Sequence, residues 1–330
     1  MNRVSLEQLA DKIILFVRSN PKKKIELKAL AGRFKAESSD ITSALRISAN
    51  WGYQFFQEKS RISYVSAPDI LSATEIGFGL KSKFIGRVVH SFNIVKSTND
   101  IANELAEKGA VEGTIVTAEK QTLGKGRLGR SWHSPEKMGI YVSIVLRPKF
   151  PPEKAPGLSI MSALAVAETV VERGVKKVQI KWPNDVLING RKVAGVLTEL
   201  SAEKNKINHV IVGIGINVKQ TESDFPANIR NNATSVERES KKELKRVELL
   251  KMLLQVFEKE YQQYRKNQLL KSLPRIRKLS SILNQEITLS WPGNTLNGTA
   301  VDIDASGALI VESNGNRTTV SSGEVTVVKK

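Results

Sequence analysis

Apolar residues recur at helical spacing from the start of the chain. Leu6, Leu9, Ile13, Ile14 and Val17 fall on one face of residues 5–18, and Pro21 ends that segment. Leu27, Leu30, Ala31 and Phe34 predict a short second helix. Ile41, Ala44, Leu45 and Ile47 predict a third, with Ser38 or Ser39 as its cap. Residues 53–57 and 61–65 then predict two strands around the basic turn Glu58-Lys59-Ser60. After Pro68 and a Ser/Ala/Thr-rich stretch, apolar runs at 84–93, 113–120, 139–147, 178–181 and 209–217 predict strands. Between them lie an amphipathic segment on Ile101, Ala102, Leu105 and Ala106 and an Ala/Val/Leu-rich helix at 157–173. Asn189-Gly190, flanked by runs at 186–188 and 193–200, is a hairpin signal. Residues 219–240 are polar and predict a long loop, of the kind that often serves as a lid. A long amphipathic helix follows at 244–264, its pattern fading towards Leu279. The last fifty residues hold five short strand patterns, at 286–290, 296–303, 308–312, 317–320 and 324–328. Pro292-Gly293, Ser306-Gly307, Asn314-Gly315 and Ser322-Gly323 separate them.

This pattern predicts an α+β protein of three domains, at 1–66, 67–280 and 281–330. Two short helices across a tight turn, followed by a strand pair, resemble a winged helix-turn-helix module. Ser39, Thr42, Ser43 and Arg46 face outward on its second helix and are the candidate DNA contacts. Base readout draws on Arg, Lys, Asn or Gln, backed by several phosphate contacts, and only Arg46 is cationic here. A DNA reader and a module that only packs on its neighbour both stay open. The central region predicts an α/β domain on a mixed sheet, and the C-terminal strands a small barrel that resembles an SH3-like domain.

Composition narrows the chemistry. There is no cysteine, which excludes disulfides, thiolate catalysis and Cys-zinc sites and fits a cytoplasmic protein. His90, His133 and His209 show no metal-ligand spacing. No apolar run approaches the roughly 20 residues that span a bilayer, so no membrane role is expected. The net charge of +18 implies an acidic partner without choosing among nucleic acid, nucleotide and acidic protein.

The candidate chemistry sits in two stretches. Gly124-Lys125-Gly126-Arg127-Leu128-Gly129-Arg130-Ser131-Trp132 carries three glycines and three cations in its first seven residues. The glycines match Gly-x-Gly-x-x-Gly, but Ser131-Trp132-His133-Ser134-Pro135 does not open a helix and no acid lies in the next strand, so the dinucleotide reading fails. A Walker loop fails too, because no Gly-Lys-Ser/Thr closes the motif. What remains is a mobile cationic loop suited to folding over an anion. The second stretch is Lys181-Trp182-Pro183-Asn184-Asp185. Ser97-Thr98-Asn99-Asp100 forms a capping box at a strand-to-helix turn, and the same short polar groups can bind a compact polar ligand. Lys192 follows the hairpin turn, where pattern alone reads it as an exposed lysine. Gly213 and Gly215 in the run ending at Asn217 point to a backbone or ligand lying against that strand.

Taken together, Ser97-Thr98-Asn99, Gln121, GKGRLGRSW, KWPND, the RKVAG of 191–195 and GIGIN resemble the catalytic domain of biotin protein ligases across residues 80–218. With the flanking modules, the whole chain is similar to the bifunctional biotin protein ligase and biotin-operon repressor family. The resemblance implies that biotin and ATP are joined as biotinyl-5′-AMP, with Mg²⁺, and that biotin then passes to a lysine of a biotin carboxyl carrier protein, forming a C–N bond. It implies biotin contacts from Ser97, Thr98, Asn99, Gln121, Lys125, Gly126, Arg127, Lys192 and Gly195. It implies ATP contacts from Arg130, Trp132, Lys181 and Asn217, metal contacts from Asp185 and Asn217, and catalytic roles for Lys192, Arg127 and Lys181. A homodimer and operator DNA are the further expected partners. One departure stands out: the loop begins Gly-Lys-Gly-Arg where the family form is Gly-Arg-Gly-Arg, so the planar fork is lost at Lys125. The rival readings are a ligand-sensing DNA-binding repressor without ligase activity and a lipoate or octanoate transferase of related fold.

Overall fold

The computed structural model describes residues 3–291 and 293–328. Pro292, half of one expected turn, lies outside the described residues. The chain divides into two compact units, Met1–Ile70 and Leu71–Lys330.

The first unit contains α1 (Arg3–Arg18), β1 (Ile25–Glu26), α2 (Leu27–Phe34), α3 (Ser38–Asn50), β2 (Gln54–Glu58) and β3 (Arg61–Ser66). The strands form an antiparallel sheet in the order β1-β3-β2. Leu9, Ala10, Ile13 and Val17 of α1, Leu30 of α2, Ile41 and Ala44 of α3 and Ile62 of β3 close over one core. The helical spacing therefore did what it predicted. The cap did not: Glu37 occupies the N-cap by backbone geometry, without a side-chain bond, and Ser38 is already helical. Thr42 instead returns its hydroxyl to the Ser38 carbonyl.

In the second unit α4 (Ala73–Gly77) precedes β4 (Val89–Val95), α5 (Thr98–Glu107), β5 (Ile115–Gln121) and β6 (Gly139–Leu146). Helix α6 (Gly157–Glu172) leads to β7 (Val178–Lys181), β8 (Asp185–Ile188), β9 (Arg191–Glu203) and β10 (Lys206–Asn217). These strands make one mixed sheet in the order β4-β5-β6-β10-β9-β8-β7, parallel only between β4 and β5. The run expected as a strand from residue 84 starts at Val89. Gly86 and Gly113 take positive φ, and the Gly86 N–H donates to the Gly113 carbonyl, so residues before Val89 turn rather than extend.

Sheet alternation decides which face does what. Val210, Val212, Ile214 and Ile216 of β10 join Val142 and Ile144 of β6 in the main core, under α6 and α8 (Arg246–Asn267). The stretch Pro152–Glu172, which includes α6, is long and apolar enough to suit a membrane span by composition, yet it is 72% buried inside the fold. The odd-numbered residues of β6 and β10 face the other way. There α5 covers Val116, Val145 and Ile211 through Ala102 and Ala106, and leaves the rest of the face open.

Residues 219–240, expected as a loose loop, end in the short helix α7 (Val236–Ser240). The Glu239 carboxylate accepts from Asn189, Arg191 and Thr234 and so ties this segment to the β8–β9 turn. Three hydrogen bonds hold that carboxyl charged: burial pushes its pKa up, but these partners more than offset it, and the net shift is downward. Helix α8 ends at Asn267 and α9 (Leu273–Leu279) is separate, so the fading pattern marked a break. Strands β11 (Glu286–Trp291), β12 (Asn294–Ile303), β13 (Leu309–Ser313), β14 (Asn316–Val320) and β15 (Glu324–Val327) form an antiparallel sheet in the order β14-β13-β12-β11-β15.

Candidate active site

The open part of the central sheet is a grid of small side chains. Across β6, β10 and β9, Tyr141 pairs with Gly215 and Gly215 with Gly195; Ser143 pairs with Gly213 and Gly213 with Leu197. Glycines here leave room that neighbouring side chains fill. A Cβ on Gly213 would stand 2.1 Å from Asn99 Oδ1, and one on Gly215 would stand 2.4 Å from Trp132 Nε1. The occupants beside the buried glycines are thus side chains of the protein itself. A cleft lies over this grid.

Ser97, Thr98, Asn99, Gln121, Lys125, Gly126, Arg127, Trp132, Lys192 and Gly195 all line this cleft, although they span nearly a hundred positions of sequence. Ser97 holds the N-cap position of α5 but makes no capping bond, so the capping box does not form. The Asp100 carboxylate that would complete it pairs with Lys125 instead. That bond raises the Lys125 pKa. Lys125 thereby keeps its charge at the cleft while anchoring the glycine loop to the start of α5.

The polar end is a continuous hydrogen-bond chain. Asn99 donates its amide to the Glu199 carboxylate. Ser143 Oγ lies 2.6 Å from Asn99 Oδ1 and 2.8 Å from Thr98 Oγ1. The Thr98 N–H donates to Gln121 Oε1 at 2.8 Å, and Gln121 Nε2 donates to Ser134 Oγ at 2.9 Å. Ser97, Thr98 and Asn99 are all buried.

The glycine loop is a tight, closed turn. The Gly126 N–H donates to the Arg130 carbonyl and the Trp132 N–H to the Gly124 carbonyl. A Cβ at Gly124 would meet the Trp132 carbonyl at 2.4 Å, and Gly129 has φ +73°, so two of the glycines are set by local geometry. Arg127, half-buried, donates to Asn184 Oδ1 at 3.0 Å and to the Gly323 carbonyl at 3.1 Å. Its burial pulls the guanidinium pKa down, while the Asp185 and Glu324 carboxylates oppose that. Arg130 pairs with Glu324, the first residue of β15. The C-terminal sheet is therefore part of what holds the loop, and no sequence signal pointed to Gly323 or Glu324.

Lys192 is not a plain surface lysine. Its Nζ lies 2.7 Å from Asp185 Oδ1 and 5.5 Å from the centre of the Trp132 ring. The Trp132 indole N–H is buried without a partner, which leaves a donor at the cleft. Four expected residues stand outside the lining. Arg130 is taken up by Glu324, and Lys181 pairs across β7–β8 with Asp185. Asp185 faces Lys192. Asn217 is buried, donating to the Thr234 carbonyl while its oxygen accepts from Gln220. Among the described residues no three His, Cys, Asp or Glu side chains gather into a metal-binding group. Trp182, inside the KWPND motif, is buried and donates to the Gly307 carbonyl at 2.8 Å. It secures the C-terminal sheet. Sequence reasoning missed Ser143, Tyr141 and Glu199 as parts of the site. Alternation along 139–147 could have flagged Ser143 as a polar residue in an apolar strand.

Two family models match this chain: the biotin/lipoate A/B protein ligase family over residues 91–217 and the biotin protein ligase C-terminal domain over residues 282–328. The bifunctional ligase/repressor BirA of Bacillus subtilis is 36% identical over 306 residues, covering 88% of this chain and 93% of its own length. The chain belongs to the biotin protein ligase family. Another relative in this ligase family, the bifunctional ligase/repressor BirA of Escherichia coli, is 28% identical and covers 83% of this chain and 84% of its own. The biotin protein ligase of Aquifex aeolicus, solved in complex with biotin and ATP, superposes with a TM-score of 0.63 at 29% identity. That match covers 74% of this chain and all of the other.

Proposed function

We propose that this chain is an ATP-dependent biotin protein ligase. It activates biotin as biotinyl-5′-AMP, releases pyrophosphate, and transfers biotin to a lysine of a biotin carboxyl carrier domain. The observation that carries the reading is the polarity of the cleft: uncharged hydrogen-bonding side chains at one end, cations along the remainder. The network of Ser97, Thr98, Asn99 and Gln121 suits the ureido ring. The apolar walls and glycine floor suit the thiophane ring and acyl tail. A carboxylate oxygen attacking the α-phosphorus brings two anions together, and Lys192 and Arg127 offset that repulsion where charge builds up. Pyrophosphate leaves as the mixed anhydride forms. The carrier lysine then attacks the acyl carbon and AMP departs. The anhydride hydrolyses when wetted, and the loop at 124–132 excludes water from it. Lys125 and Gly126 close the biotin side and Gly195 leaves space for Lys192. Trp132, with its unpartnered N–H, is assigned to the adenine side, and Arg130 and Lys181 are the further cations assigned to the triphosphate. The donor set fits Mg²⁺ carried in by phosphates, because one carboxylate, Asp185, with substrate oxygens and water is an ordinary magnesium shell. Asp185 would hold the ion, which supplies charge neutralisation; Asn217, bonded to Thr234 and Gln220, would have a supporting role there.

The first unit is read as a winged helix-turn-helix module that binds an operator, giving the chain a repressor function. Ser39, Thr42 and Arg46 are exposed and Ser43 half-exposed on α3, and the net charge of +18 suits nucleic acid. The C-terminal sheet is read as an SH3-like barrel, and the domain limits as 1–66, 67–280 and 281–330. Strand β4 is an outer strand with Phe92 and Ile94 exposed, which supports pairing of two copies. Absence of cysteine supports a cytoplasmic setting.

The deciding experiment is ATP–pyrophosphate exchange with Mg²⁺ and, in parallel, biotin, lipoate and octanoate. Exchange with biotin alone is expected. Exchange with lipoate or octanoate instead overturns the substrate, and no exchange with any acid favours the ligand-sensing repressor.

A further inference from the structure

We infer that Glu199 is a positioning residue that fixes the hydrogen-bond polarity of the biotin head-group pocket, acting through Asn99 with Ser143. The inference rests on the proposed biotin site. It starts from proton accounting. A carboxylate only accepts hydrogen bonds, whereas an amide can turn either end to a neighbour. Glu199 contacts the Asn99 side chain, so the atom it meets must be the nitrogen. Asn99 Oδ1 is then turned towards Ser143, whose hydroxyl lies 2.6 Å away and must donate its single proton there. Ser143 then has no second proton for Thr98 Oγ1, 2.8 Å away, and the Thr98 hydroxyl, which also lies 3.1 Å from Gln121 Oε1, can give its proton to either neighbour.

The other end of the chain is fixed as firmly. The Thr98 backbone N–H can only donate, so the Gln121 atom 2.8 Å from it is the oxygen. Gln121 Nε2 then faces Ser134. One carboxylate and one backbone N–H, at opposite ends, thus fix the orientation of both amides. What the cleft keeps for a ligand is one further N–H from each amide. These are donors for a carbonyl oxygen such as the one in a cyclic urea.

The fold reserves the space for this arrangement. Val145, Ile211 and Glu199 stand side by side on β6, β10 and β9, one row beyond Ser143, Gly213 and Leu197. Asn99 lies over Gly213, where a Cβ would meet its side chain. Glu199 is exposed and lies at the end of the apolar sheet face, within electrostatic reach of Lys125. It gives nothing to the hydrophobic core, and its carboxylate is spent on the Asn99 amide.

The test is the isosteric variant Glu199→Gln, followed by pyrophosphate exchange with biotin and with 2-iminobiotin, in which an imino group replaces the ureido oxygen. A neutral partner lets the Asn99 amide turn over and weakens a charge-assisted bond. KM for biotin should rise roughly tenfold, the size of one such bond lost, with kcat at saturating biotin within about twofold. The preference for biotin over 2-iminobiotin should shrink. In an Asn99→Ala background the same change should have no further effect on KM, since Glu199 acts only through Asn99. An unchanged KM, an additive double variant, or a loss confined to kcat would each overturn the inference. If the unaltered chain shows no exchange with biotin, the proposed substrate fails, which is a separate result.

Discussion

Replacing Arg127 with glycine tests how the loop retains its intermediate. Arg127 donates to Asn184 in the KWPND turn and to the Gly323 carbonyl beside β15, and so joins the loop to two other parts of the unit. A hydrogen bond from a charged donor contributes about 1.5–3 kcal/mol when buried. Arg127 is only half-buried, so about 1 kcal/mol for each is the better figure. A glycine in its place adds roughly 0.5–1 kcal/mol through extra backbone freedom of the open loop. The closed loop therefore loses about 3 kcal/mol against the open one, on the order of a 100-fold shift. Biotinyl-5′-AMP should escape before a carrier lysine reaches it. The assay mixes the variant with biotin, ATP, a carrier domain and a bystander protein, then detects biotin on each by streptavidin blot. Release of the adenylate, followed by rapid filtration, gives the rate directly. Strong labelling of the bystander and faster release are expected. Labelling confined to the carrier, with an unchanged release rate, would refute the account of the loop as a seal.

Three further outcomes follow from the same geometry. Lys192→Ala should lower pyrophosphate exchange by a factor of about 10²–10³, as loss of one charge-stabilising group does, with the thermal midpoint little changed; normal exchange would remove Lys192 from the mechanism. Gly215→Ala puts a methyl 2.4 Å from Trp132 Nε1 and should raise KM for ATP about tenfold, through lost packing of the indole. In a Trp132→Ala background the same change should be silent, and an equal effect in both backgrounds would show that the clash lies elsewhere. Glu239 carries a pKa lowered from 4.5, because its hydrogen bonds outweigh burial. Its stabilisation is present above that value and is lost as pH falls through the lower folded one. Hydrogen exchange at 230–240, corrected for intrinsic rates, should accelerate below about pH 4.5, and Glu239→Gln should already be fast at neutral pH. Equal protection of the two proteins across that range would discount the anchor.

The chain alone determined which elements form and which residue types could meet an acid and a nucleotide. Helical spacing at Leu9, Ile13 and Val17 placed α1 in its core because periodicity is local and burial follows it. The clustered cations and glycines at 124–130, and the short polar run at 97–99, were legible for the same reason: their chemistry is carried by residue type. The tertiary structure decided what each was paired with. Ser97 resembled a cap until Asp100 was seen spent on Lys125, and Lys192 resembled a surface lysine until β8 and β9 set it beside Asp185. The run at 209–217 read as uniformly apolar. The sheet splits it into a core face of Val210, Val212, Ile214 and Ile216 and a site face of Ile211, Gly213 and Gly215. Trp182 and Arg127 reach the C-terminal sheet, more than a hundred positions away. Such contacts depend on strand order and register, and no local pattern of residues encodes them.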